Sequence, residues 1–498
     1  MRLDFKIGSD ARGDDVKVFV NANVSNFVAD HLIGKEKFEN GALTVVGDPT
    51  GLRATGSGRI FGGPATLDLR KDVGKPALAT LSATVDEAAR AKFGFEAAGV
   101  SGPIGMKLSA RLEDGETEAN VELDLTRTAF DNPVPGLSKP AGRQGRASFL
   151  VLHRERSTRI DNLTFEAGGA SARGAIELSP QGEVQVVKLT QARLSPGDDM
   201  RVDLQRAGDL YRVTVRGVSI DARPFIKSLG QSANSSQKSA DFELDLKSPI
   251  LTGFSKQALT NADLKITRRG GAIRQFAASG QFGRGAVTAR MTTAEGGRPQ
   301  IDIGSADAGA LLAFADIYSR MEGGALNAIM SQEPTGLVGT VKIRSFNLRD
   351  EPALRRLVAE SAPRADAPGA KVDPALVGFD RLQVVFLRSG GHMTLRDGVM
   401  NGPNIGLTVE GSVDTERNTI ALNGTFVPAY TVNNFFSKIP VVGVLLGGGW
   451  NEGLFALNYK VTGRVNAPQV SVNPLSVAPG FLRKIFGVLD NVGDQPQR

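Results

Sequence analysis

There is no cysteine among the 498 residues. That removes disulfides, thiolate nucleophiles and Cys-ligated zinc together, and it suits a bacterial chain that passes through an oxidising compartment. Histidine is nearly as scarce. His31, His153 and His392 are far apart, with neither H-x-x-x-H nor H-E-x-x-H spacing, so each reads as a strand or surface residue. One Trp and four Tyr leave little for base stacking. The 59 basic and 53 acidic residues are spread along the chain. A net charge of +6 fits a solvated surface or a mild attraction to anionic lipid, and nucleic acid is not an expected partner. No stretch of about 18 apolar residues occurs, and "MRLDFKIGSDARGDD" at the N-terminus lacks the apolar region of a secretory signal.

Catalytic motifs are missing too. There is no G-x-S-x-G elbow and no Walker A. "GSGRIFGG" (Gly56–Gly63) has the wrong spacing for a dinucleotide fingerprint and reads as a turn. Asp14–Asp15 and Asp198–Asp199 read as solvated turn acids. No catalytic residue, metal or cofactor is expected, and the chain is not read as an enzyme.

What is abundant is glycine, 59 residues, nearly twice the usual share of about 7%. Strands and turns use Gly in that quantity and long helices do not. The strongest periodicity is two: Phe242, Leu244 and Leu246 alternate with acids, Val121, Leu123 and Leu125 do the same, and Phe455, Leu457, Tyr459 and Val461 share one face. Roughly two dozen such strands, joined by short Gly, Asp and Asn turns such as Asn401–Asn404 and Asp414–Asn418, predict antiparallel neighbours. A loose unit of strand, Gly turn and strand recurs. Helices are expected over Asp86–Gly94, Asp307–Met321, Asp350–Ser361 and Ala478–Asp490. Pro-, Gly- and Ser-rich linkers divide the chain into segments 1–140, 141–235, 240–361 and 375–498.

So many one-sided strands make a large apolar face, and few helices are available to cover it. Either sheets pack on each other or one curved sheet folds its apolar face into a groove that something else fills. The last helix places Phe481, Leu482, Ile485 and Phe486 on one side, suited to packing on the sheet or lying in a membrane interface. An apolar run, with Val441, Val442, Val444, Leu445 and Leu446, leads through three glycines to Trp450. It suits a loop closing the groove, a loop dipping into a membrane with Trp450 at headgroup level, or a loop buried over the sheet edge.

The C-terminal third, Gly424–Phe486, resembles the end of bacterial AsmA-like proteins of the YhdP-type branch, through "VPAY", "IPVVGVLL", "VNPLSVAPGFLR" and an "NEGLF" where that family has "GEGLF". "SADAGALLAFADIYSRMEGGAL" and "GLVGTVKIRSFNLRDEPALRRLV" extend the likeness back to about residue 300. The resemblance implies a mainly β fold: a long, twisted, mostly antiparallel open sheet with a few short helices, including the C-terminal amphipathic one. It also implies a periplasmic bridge carrying phospholipids along an apolar groove to the outer membrane's inner leaflet, with envelope proteins as partners at either end. A non-catalytic assembly factor for the outer membrane is the alternative. Family members begin with a transmembrane helix that is not seen here, so the chain reads as a C-terminal fragment or as a gene read from a late start. From strand alternation, the groove-face residues are expected to be Phe242, Leu244, Leu246, Leu407, Val409, Phe455, Leu457, Tyr459 and Val461. Val441, Val442, Val444, Leu445, Leu446, Trp450, Phe481, Leu482, Ile485 and Phe486 are the expected membrane contacts.

Overall fold

The computed structural model describes residues 2–4, 17–33, 36–92, 98–113, 116–154, 157–230, 241–294, 297–360, 373–403, 405–428, 454–465 and 467–477. The protein is mainly β: a long, open and mostly antiparallel sheet with four short helices among these residues, and no closed barrel. The helices are α1 (Glu87–Lys92), α2 (Arg223–Gly230), α3 (Ala308–Phe314) and α4 (Pro352–Glu360). The chain forms two compact units, residues 1–220 with 240–244, and residues 221–239 with 245–498. The linker expected at 231–240 and the terminal helix expected at Ala478–Asp490 lie outside the described residues.

In the first unit, strands from Lys17–Ile33 to Leu210–Asp221 pair antiparallel, each with the next apart from three short strands that form a small sheet of their own. In the second, strands from Ala258–Arg269 to Ala467–Val477 do likewise. Tight turns make this meander possible. Gly168–Gly169 and Gly270–Gly271 both take positive φ (62° and 95°, 58° and 77°), the mirror-image turn whose twist matches that of the flanking strands. "GSGRIFGG" is such a turn as well, with Phe61 at φ 55° and Gly62 at 75°.

Successive turns of a meander fall at alternate ends of the strands, and the two ends differ. At one end of the first unit lie tight turns such as 49–50, 73–76, 179–183 and 208–209; at the other lie α1 and the small sheet of Val100–Ser101, Ala129–Asp131 and Ser138–Lys139. The second unit repeats the division. Turns 270–271, 334–335 and 390–391 share one end, and α3 and α4 occupy the other. Asp307 caps α3 as expected, its carboxylate accepting from Ala310 N at 2.9 Å. That helix is shorter than the sequence suggests, because Met321 already opens the next strand.

The strands contain a recurring bulge. Pairing slips beside Asn26, Asn40, Asn162, Asn261 and Asp397, and each of these has φ between 50° and 55°. Asn and Asp tolerate that left-handed conformation best among residues with a side chain. Each bulge adds a residue and sharpens the local bend.

Candidate functional site

Pairing registers define one continuous apolar face in each unit. In the first unit a single row runs Ala22, Val45, Ala54, Leu69, Ala79, Ala110 and Ala119, each directly opposite the next. It continues without a break through Val151, Ile160, Ile176, Val187, Leu204 and Val213. A parallel row passes through Ala83, Met106, Leu123, Ala147, Phe165, Ala172, Ala192 and Met200. The opposite face is charged. Arg53 grips Asp68 through two bonds of 3.0 and 2.7 Å, which holds that carboxyl below the usual range; Arg146 meets Glu166 at 2.8 Å, and Lys188 stands opposite Asp203.

The apolar face is concave where glycines interrupt it. A Cβ on Gly56 would lie 2.0 Å from the Ala42 carbonyl, one on Gly174 2.0 Å from that of Lys188, and one on Gly424 1.9 Å from that of Thr408. Each glycine occupies an apolar register, so the neighbouring backbone leans over that face. Only glycine allows so tight a curl. Aromatic rings fill the space left above: Phe38, fully buried, lies over Gly41 and Gly58, and Tyr459 stands opposite Gly424.

Cover is unequal along this face. In the second unit α4 lies against the last two strands, and its Leu354 and Leu357 (4% and 2% exposed) join Phe379, Ile405, Leu407, Phe426, Tyr459, Val461 and Val470 in one core. Tyr318 pins the start of that helix by donating to Glu351 Oε2 at 2.6 Å. In the first unit the described residues from Gly145 to Ile220 include no helix, and Val151, Ile160, Ile176, Val187, Leu204 and Val213 are all only half-buried.

The sequence-predicted groove residues therefore separate. Leu407 (3% exposed), Tyr459 and Val461 (6% each) belong to the closed core under α4, and Val409 is half-buried on the strand of Leu407. Pairing joins Leu407 through Phe426 to Leu457, while Phe455 is placed only by its backbone. Phe242, Leu244 and Leu246 are half-buried in the strand Asp241–Thr252. The predicted membrane contacts, Val441, Val442, Val444, Leu445, Leu446, Trp450, Phe481, Leu482, Ile485 and Phe486, lie outside the described residues. Sequence reasoning missed α2, whose start Asp221 caps by accepting from Arg223 N at 3.0 Å, and it passed over the half-buried strip of the first unit. Alternation was the signal for that strip; the bulges obscured it.

His31, His153 and His392 lie on three different strands among the described residues. His153 and His392 are exposed strand residues, and no cluster of His, Asp or Glu is fit to hold a metal there. Asp198 differs from the solvated turn acid expected: it is buried and accepts from Leu194 N and Ser195 N at 3.0 and 2.8 Å. Lys139 is fully buried, which pushes its pKa down, and its ammonium donates to the carbonyls of Thr126, Pro140 and Arg143. It ties a loop together. Among the described residues no helix is long and apolar enough to cross a membrane.

The fold and its face define a one-sided, curled β-sheet protein. No family model matches the chain, and no curated protein or solved structure does either.

Proposed function

We propose that the chain carries lipid: the acyl chains of phospholipids lie on the apolar face, and the protein forms part of a bridge between the two membranes of a bacterial envelope. The observation that supports this most is the unbroken apolar strip of the first unit, half-buried from Val151 to Val213, over which no helix lies among the described residues. Rows two residues apart are about 7 Å apart along the strand, so three rows span roughly 14 to 20 Å. One leaflet's hydrocarbon is about 15 Å deep, half of a bilayer core. An acyl chain fits across the strip. The envelope setting, the outer membrane's inner leaflet as destination and the protein partners at either end rest on the resemblance of the C-terminal third to AsmA-like proteins.

A second reading is a non-catalytic assembly factor for the outer membrane. The core under α4 favours it locally, since there the protein's own Leu354 and Leu357 take the place a lipid would fill.

Native mass spectrometry with lipid extraction, on protein purified without detergent, separates the two. The carrier reading expects bound phospholipid, lost from a folded Val187→Asp/Leu204→Asp variant. Val461→Asp should instead lower stability, because it places a charge in a closed core. Empty, monodisperse wild-type protein would favour the assembly factor.

A further inference from the structure

The two long edges of the apolar face end in different chemistry. At the helix-bearing end, the last apolar-face positions are residues such as Ile60, Ala167, Phe282 and Ile405, all buried. At the tight-turn end several strands finish differently. In the first unit Lys71 stands two residues beyond Leu69, His153 two beyond Val151, and Arg206 two beyond Leu204, all on the face of the apolar row. In the second unit Arg268 follows Ile266 and Arg388 follows Phe386 in the same way. Their registers confirm the placement: Lys71 is opposite Leu52, Arg206 opposite Tyr211, Arg268 opposite Ile273, and Arg388 opposite Leu337. Among the described residues, no Asp or Glu takes such a strand position in either unit.

Resting on the acyl-chain reading above, we infer that the tight-turn edge of each unit is a headgroup edge, where Lys71 and Arg206 in one, and Arg268 and Arg388 in the other, hold the phosphate of an anionic phospholipid. A long basic side chain at the end of an apolar row lays its methylenes on that row and puts its charge at the rim. An amphiphile lying on the strip needs that arrangement, tails on the row and phosphate at its end. α1 and the small sheet stand at the opposite edge of the first unit, and α3 and α4 at that of the second. Arg206 is bonded to Glu183 and to the Gly208 carbonyl and lies 5.9 Å from the Tyr211 ring, and it is left intact in the test; Arg388 donates to the Gly390 carbonyl at 3.3 Å.

The test compares binding of short-chain phosphatidylglycerol with that of the diacylglycerol bearing the same acyl chains, in wild type and in Lys71→Gln/Arg268→Gln/Arg388→Gln. Wild type is expected to prefer the phospholipid by about tenfold or more, as charge-assisted bonds to phosphate are the strong ones. The variant should lose most of that preference, Arg206 keeping the remainder, with diacylglycerol binding unchanged. A second readout needs no variant: raising salt from about 0.05 to about 0.5 M should erase the preference and spare diacylglycerol binding. A preference undiminished by the substitutions, or one that survives the salt, overturns the headgroup edge. So does equal binding of both lipids by wild type, with the acyl-chain reading intact. If wild type binds neither, the acyl-chain reading falls and this inference falls with it.

Discussion

At the scale of single residues, the glycines on the apolar face are the most constrained positions. Gly424 has the Thr408 carbonyl where a Cβ would be, so Gly424→Ala must push two strands apart. A loss of about 2 kcal/mol or more is expected in denaturant unfolding. Tyr459 closes the same spot from the next strand, its hydroxyl donating to Thr408 O at 2.6 Å. Tyr459→Phe leaves that carbonyl unpaired, at a cost of about 1 kcal/mol. Burial pushes the Tyr459 phenol well above its ordinary value of about 10. The folded state thus keeps a proton that the unfolded state sheds. The stability this contributes is complete below about pH 10 and falls as pH climbs from there towards the folded value. A melting-temperature profile taken above pH 10 should therefore slope down less steeply in Tyr459→Phe than in wild type.

At the scale of elements, α4 decides what the end of the second unit is. Leu357 is 2% exposed in the core it shares with Phe426 and Val461. Leu357→Ala should cost about 2 to 5 kcal/mol, read as earlier unfolding of that unit; a cost under 0.5 kcal/mol would mean that the helix only rests on the sheet. The helix itself was legible, with Asp350 ahead of it, Pro352 in its first turn and Leu354 and Leu357 on one side. Its target was not. Sequence alternation marks Leu407, Tyr459 and Val461 as apolar-face residues but carries no sign that a helix far away in the chain lies over them. The strip of the first unit was obscured for a different reason. At Asn162 the alternation slips by one, from Ile160 to Leu163 and Phe165, and strict period-two reading breaks there although the face continues. Asn261 and Asp397 hide the same slip. α2 escaped notice because eight residues with an exposed Phe225 show too short a pattern against the strands around them.

At the scale of the molecule, the two units share one design: an antiparallel meander, a charged outer face, an apolar inner face curled by glycines and bulges, and insertions kept to one end of the strands. They differ in cover. If the face of the first unit, on which no helix lies among the described residues, holds acyl chains, adjacent residues on opposite faces allow a direct test. Val187 and Leu204 pair on the apolar face, while their neighbours Lys188 and Asp203 pair on the charged one. The measurement is photo-crosslinking from a benzophenone amino acid, placed singly at each of the four positions, to radiolabelled phospholipid supplied in vesicles. Lipid adducts are expected at 187 and 204, with none above background at 188 and 203. Equal labelling at all four positions, or labelling at none, would contradict it.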